Sequence, residues 1–289
     1  MLIPNVAIHM NRNANSNVSY NIQNDLLPLY AMKQDDDLMD AIAAAAGCDK
    51  ADIINSELFL YNRQEGSVWG AHEEFISAPQ LDDLECAYTA LQGFLTAKAK
   101  HSAVNVFCCF DNEEVGSGTK QGADSTMLRD VLERIGDGLN LKAGKLQQLM
   151  AASIMLSADN AHSLHPNHSE LHDPSNPIFM NRGIVIKHSA RQSYTTDARS
   201  AAVFKALCET VNVPVQEFVN RSDILGGGTL GSISASHVSI LSCDIGLAQL
   251  AMHSAYETAG VQDVEDMIKV MRSFYETEID LRGDAIKLG

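Results

Sequence analysis

The sequence predicts an α/β protein in two unequal parts, a layered α/β/α domain over residues 79–289 and a smaller, partial β-rich domain over residues 1–78. Two observations carry this expectation. From Pro79 onward, apolar runs of strand length alternate with amphipathic runs of helix length, the pattern of helices covering a parallel or mixed sheet. Before Pro79 the chain is rich in Asn (Asn11, Asn13, Asn15, Asn17), carries the acidic run Asp35-Asp36-Asp37, and offers short β-like pieces such as Glu57-Leu58-Phe59-Leu60-Tyr61. With 289 residues the chain is long enough to bury at least one large core.

In chain order, helices are expected over Glu85–Lys98, Ser125–Ile135 and Ala143–Leu156, with an apolar strand over Ala103–Phe110. A strand over Ile184–Ile186 precedes a helix over Thr196–Val211, opened by Asp197. A strand over Val238–Leu241 and helices over Leu247–Ala259 and Val264–Glu276 complete the pattern.

Lys and Arg total 21 against 37 Asp and Glu, a formal net charge of -16. A field of that sign repels phosphate backbones and no basic stripe offsets it, so no nucleic-acid partner is expected. Charge or polarity breaks every apolar run short of the roughly 18 residues a membrane span needs, and the start Met1-Leu2-Ile3-Pro4 lacks the basic and apolar regions of a signal peptide. No membrane is expected as a partner, and the location is expected to be cytoplasmic. The six cysteines form no CxxC pair and read as reduced packing residues.

Four constellations carry chemistry. In Asp111-Asn112-Glu113-Glu114-Val115-Gly116-Ser117-Gly118 adjacent carboxylates stand where an apolar run meets a glycine-rich turn. Neighbouring side chains diverge there, so one acid can bind a metal while the other holds a water as general base; a solvated acidic turn is the plainer alternative. Ser157-Ala158-Asp159-Asn160-Ala161-His162, followed by His165-Pro166-Asn167-His168, mixes carboxylate with imidazole, which suits zinc or manganese and equally a polar loop. His253, in Leu250-Ala251-Met252-His253-Ser254, is a lone histidine on an apolar run that reads as helical and fits a satisfied core residue as well as a ligand. Asp82 and Asp83, in Leu81-Asp82-Asp83-Leu84, fit helix capping as well as metal binding.

The order LDDL, DNEEVGSG, SADNAH with HPNH, VIKHSARQSY, GGGTLGS and LAMHS, running across essentially the whole chain, resembles the aspartyl aminopeptidases of the M18 group of metallopeptidases. The resemblance implies a phosphorylase/hydrolase-like three-layer catalytic domain, with residues 1–78 as part of a dimerisation domain. It implies that Asp82 bridges two metal ions, that Glu114 and His253 complete one centre, that Asp159 binds the other, and that Glu113 is the general base. Zinc is the implied metal, two ions per complete site, with manganese or cobalt as substitutes; such a pair, about 3.5–4 Å apart, shares one carboxylate and one activated water. Lys187 would pair with the acidic side chain of a substrate's N-terminal Asp or Glu. A surface lysine is its plainer reading. His162, His165, Gly227 and Gly228 would line the substrate pocket, and His9 would reach across a dimer into the partner's site. The implied partners are peptides with an acidic first residue and further copies of the chain, as dimers and tetrahedral dodecamers.

The family's residue after the bridging aspartate is typically asparagine, in a cis peptide; here it is Asp83. Family members also supply a histidine ligand in an HxDSP-like motif from a segment preceding the point where this chain starts, and neither His72 nor His101 has that context. The expectation is therefore a chain that holds one divalent ion better than two and is impaired as a catalyst. A non-catalytic assembly subunit and an M42-like aminopeptidase of different specificity are the alternatives.

Overall fold

The computed structural model describes every residue except 17–18, 143 and 282–284. The chain divides into two units, Met1–Leu60 and Tyr61–Gly289. The first carries the short helix α1 (Ile22–Asp25) and α2 (Leu38–Ala46), and an isolated bridge joins Leu2 to Leu29. Asp37 caps α2 by accepting from the Met39 amide, and Gly47 closes it in the left-handed region, a conformation glycine takes without a Cβ penalty. The β-like run Glu57–Tyr61 forms no strand.

The second unit opens with β1 (Ser67–Trp69) and β2 (Phe75–Ala78), followed by α3 (Leu81–Thr96), α4 (Met127–Gly138) and α5 (Lys145–Ala151). Next come β3 (Ile154–Ala158), β4 (Ala161–His162), β5 (Ile184–His188), α6 (Ala198–Thr210) and β6 (Val215–Val219). The chain ends through α7 (Leu230–Ala235), β7 (Leu241–Gly246), β8 (Ala248–Leu250), β9 (Glu257–Gly260), α8 (Val261–Glu276) and the small pair β10 (Ile279–Asp280) and β11 (Lys287–Leu288). One mixed sheet runs in the order β3-β7-β5-β6, and a second in the order β1-β2-β9-β8-β4. Because β2 pairs with β9, residues 67–78 pack within the second unit.

Side-chain alternation along the first sheet makes the layers. Ile184, Ile186, Cys243 and Ile245 face one side and pack in a common core with Phe204 of α6, Cys86 and Ala90 of α3, and Met267 and Met271 of α8. Val185 and Phe218 face the other side, in a second cluster with Ile178 and Tyr194. α7 lies on that opposite face, with Gly231 against Asp244 of β7. Helices α3 and α8 approach closely at Gly93, where a Cβ would lie 2.4 Å from that of Met271.

The helix expected from Thr196 to Val211 is α6, and Asp197 opens it through a capping box with Ser200. Four expected elements differ, and the first is the strand over Val238–Leu241, which forms instead over Leu241–Gly246. Helix 143–156 begins at a residue outside those described, and α5 ends at Ala151, because the apolar run Ile154-Met155-Leu156 pairs with β7 instead. Helix 247–259 is absent: β8 and β9 flank a turn in which Ala251 and His253 take φ of 58° and 64°, which no right-handed helix tolerates. Residues 104–110 run without turn or bend, yet they lie in no ladder, since among the described residues no strand pairs with them.

Candidate metal centre

Four positions far apart in sequence converge at one end of the first sheet. Asp82 stands in the first turn of α3, and Asp159 directly follows β3. Glu114 lies in a 3-10 turn (Glu113–Val115), and His253 in the turn between β8 and β9. His253 Nε2 lies 3.0 Å from Asp82 Oδ2 and 2.9 Å from Glu114 Oε2. Asp82, Glu114 and His253 each offer a ligand atom within 4.8 Å of the others, and so do Asp82, Asp83 and Asp159. Asp82 is common to both groups, and the Asp82–Asp83 peptide is cis.

The donor set fits divalent cations. Burial, then the charges of Asp159 and Glu114, push Asp82 up to about 8, so the site resists holding its carboxylates ionised without a positive charge among them. Asp82 Oδ1 and Asp83 Oδ1 are buried with no hydrogen-bond partner, which is costly unless a cation or water takes them up. Carboxylate with imidazole is a ligand chemistry that zinc, manganese and cobalt accept.

Glu113 is half-buried beside this cluster, and burial followed by the Asp159 and Glu114 charges raises it to about 7. Lys187, on β5, is 3% exposed, and its Nζ donates to Asp159 Oδ2 at 3.1 Å. The same Nζ stands 5.6 Å over the Tyr194 ring. Gly227, Gly228 and His162 line the same cavity of about 100 Å³ as Glu113, Lys187 and His253. Thr229, just after the glycines, donates to the buried Asp244 at 2.7 Å and ties that turn to β7. His165 is not among the lining residues; its ring lies tilted against that of His168, with centroids 5.0 Å apart. His9 is exposed in the Met1–Leu60 unit.

Sequence reasoning missed two residues that hold this arrangement. Glu257, 2% exposed, accepts the Asp82 backbone N–H at 2.8 Å and the His253 backbone N–H at 2.6 Å, so a single carboxylate fixes the main chain under two candidate ligands. Asn160 donates to Leu81 O, Glu85 Oε2 and Gln249 Oε1, and accepts from Cys86 Sγ, which locks the start of α3 to the residue after Asp159. The only sequence signal for Glu257 was an acid four residues beyond His253.

Comparison with known proteins places this geometry in a family. The chain matches the family model described as aminopeptidase I zinc metalloprotease (M18) over residues 1–275. It is 50% identical over 280 residues to a probable M18 family aminopeptidase 2 of Clostridium novyi (strain NT), covering 95% of this chain and 64% of that relative. The chain thus spans just under two thirds of that relative's length. Among solved structures, the cryo-EM structure of the Ape4 and Nbr1 complex superposes with TM-score 0.87 at 33% identity, covering 94% of this chain and 57% of that one. The S. cerevisiae mApe1 dodecamer superposes with TM-score 0.71 at 30% identity, covering 82% of this chain and 54% of that one. With the family model spanning nearly its full length, this chain belongs to the M18 family of aminopeptidase I zinc metalloproteases.

Proposed function

We propose that Asp82, Glu114, Asp159 and His253 hold divalent metal, zinc first, and that the site removes N-terminal Asp or Glu from peptides. The observation that carries this reading is the convergence of two ligand groups on the shared carboxylate of Asp82. Bound ions would supply Lewis-acid polarisation of the scissile carbonyl and a lowered pKa for the attacking water. Glu113, poised near neutrality, takes the proton from that water and delivers it to the leaving amine. Lys187 has three donors and spends one on Asp159, which leaves two for the carboxylate of an acidic first residue. The glycines at 227 and 228 let the substrate main chain approach closely.

The two groups are unequal. Asp82, Glu114 and His253 combine two carboxylates with an imidazole, whereas Asp159 in the other group already faces the buried charge of Lys187. The first group is therefore the tighter, one ion binds the 289-residue chain better than two, and its own turnover is low. Self-association as dimers and dodecamers, with residues 1–78 contributing to the dimer and His9 entering the partner's site, extends the reading; the dodecameric relative supports it. A cytoplasmic location fits six unpaired cysteines and the finding that no helix among the described residues is long and apolar enough to cross a membrane.

The test is elemental analysis of the chain and of His253→Ala, paired with release of product from Asp-linked and Leu-linked chromogenic peptides with added zinc, manganese or cobalt. The expected result is metal bound by the parent, lost in the variant, and a metal-dependent rate on the Asp-linked substrate. Equal rates on both substrates would remove the role of Lys187. A folded protein that binds no metal and turns over neither substrate would leave a non-catalytic assembly subunit in place of the enzyme.

A further inference from the structure

Asp244 is a charged side chain that the proposed chemistry leaves unused. It lies on β7, the strand flanked by β3 and β5, and it is fully buried. A buried carboxylate is costly unless it is paired or hydrogen-bonded, and the partners of this one come from two segments far apart in sequence. Oδ2 accepts from the Thr195 main-chain N–H and from the Thr195 hydroxyl, the latter at 2.6 Å, and Oδ1 accepts from the Thr229 hydroxyl at 2.7 Å. The Asp244 amide donates in turn to Thr196 Oγ1 at 2.8 Å, so main chain and side chain are both held.

The two segments are walls of the cavity of about 100 Å³ that contains Lys187. Thr195 follows Tyr194, whose ring lies 5.6 Å from Lys187 Nζ, and Thr229 follows Gly227 and Gly228. Tyr194, both glycines and Thr229 all line the cavity. Asn220 forms a second link between the same walls: its Nδ2 donates to the Tyr194 hydroxyl at 3.1 Å, and Gly226 packs so near that amide that a Cβ would lie 2.3 Å from its nitrogen. Thr229 shows which demand prevails. It is the N-cap of α7, where a threonine oxygen ordinarily accepts from a helix amide, yet its side chain makes no capping bond and its hydroxyl is turned to Asp244. Local helix stability is forgone for a tertiary tie, a conflict expected at a functional site.

We propose that Asp244 is a positioning residue for substrate selection: through Thr195 and Thr229 it holds the Tyr194 wall and the glycine turn at the spacing that lets Lys187 meet the carboxylate of an acidic first residue. This role rests on the reading of the site as selective for such a residue. An uncharged, apolar side chain at position 244 could fill the space, but it would leave two hydroxyls and an amide without their acceptor, and the two walls would then move independently. A purely structural role for Asp244 predicts lost stability with unchanged discrimination between ligands. A positioning role predicts that discrimination itself falls, because the Lys187 ammonium no longer faces a cavity of fixed width.

The test uses the zinc-loaded chain, with the affinities of free L-aspartate and L-leucine measured by NMR titration and the zinc content by elemental analysis. The parent is expected to favour L-aspartate. Thr229→Val and Asp244→Asn should each lower the ratio of the two affinities about fivefold or more, the effect of weakening hydrogen bonds to a charged acceptor, while zinc content stays that of the parent. Thr229→Ser keeps the hydroxyl and should hold the ratio within about twofold of the parent. Thr229→Val decides alone where Asp244→Asn does not fold. An unchanged ratio in the folded variants, a Thr229→Ser chain as impaired as Thr229→Val, or zinc lost together with selectivity would overturn the proposal and leave the acidic-residue reading in place. A parent that binds the two amino acids alike, or binds neither, would overturn that reading and the role of Asp244 with it.

Discussion

Glu257→Ala tests whether a buried carboxylate holds the metal centre together from beneath. In the parent, Glu257 accepts backbone N–H groups from Asp82 and His253. Hydrogen bonds to an ionised acceptor contribute about 1.5–3 kcal/mol each, so removing both costs about 3–6 kcal/mol and leaves two amides to find other partners. One effect opposes this: Glu257 is among the charges that raise Asp82, so its loss relieves part of the repulsion in the metal-free cluster. The hydrogen bonds win because they are direct and short, whereas the Glu257 charge is the smallest of the causes acting on Asp82. The net expectation is a loss of about 2–4 kcal/mol in urea unfolding of the chelator-treated protein. His253 takes φ of 64°, a conformation that surrounding contacts must enforce, so the turn should also relax and zinc affinity should fall about 10- to 100-fold by calorimetry. A variant within about 0.5 kcal/mol of the parent, binding zinc as tightly, would refute the reasoning.

Three further outcomes follow from the same coordinates. Lys187→Met keeps the length of the stem but removes the charge beside Asp159, and should cut the preference for Asp-linked over Leu-linked substrate by about tenfold or more, the loss of one charge-assisted contact, read as a ratio of kcat/KM values. Asp263 is fully buried, and burial lifts it from 3.8 to about 6, although the Asn181 and Gly183 amides donate to it. Its folded pKa lies above its unfolded one, so the folded state holds the extra proton and stability falls as pH rises from about 4 to about 6, by at most about 3 kcal/mol at 1.4 kcal/mol per pH unit. Asp263→Asn should flatten that part of a stability profile, and an unchanged slope would refute the assignment. Gly246→Ala would place a Cβ 1.9 Å from the Asp159 carbonyl oxygen, so the end of β7 must move away from Asp159. The expected result is destabilisation of about 1–3 kcal/mol with weakened metal binding, and unchanged thermal unfolding would contradict it.

The sequence was most legible where local chemistry and tertiary contact agree. Asp197 announced α6 because a capping aspartate satisfies helix amides without help from the rest of the chain. The ligand positions were ambiguous one at a time, since each also had a plain structural use, and they became legible only through the ordered set of motifs that resembles one family; Asp82, Glu114, Asp159 and His253 do meet around Asp82. Residues 247–259 were not legible, because Leu247, Ala248, Leu250 and Ala251 are as apolar in two short strands as in a helix, and only the left-handed turn at Ala251 and His253 separates the alternatives. Ile154–Leu156 failed for the same reason, as an apolar run continuous with a helix. Glu257 and Asn160 were invisible because their partners are main-chain groups and side chains distant in sequence, such as Leu81 O and Gln249 Oε1, and no spacing rule reaches that far.

Lys187 gives the metal-free protein an ammonium of its own in the midst of its acids, seated where little water reaches. The carboxylate assembly is thereby partly neutralised before any ion arrives, and Lys187 offsets part of the repulsion that raises Asp82.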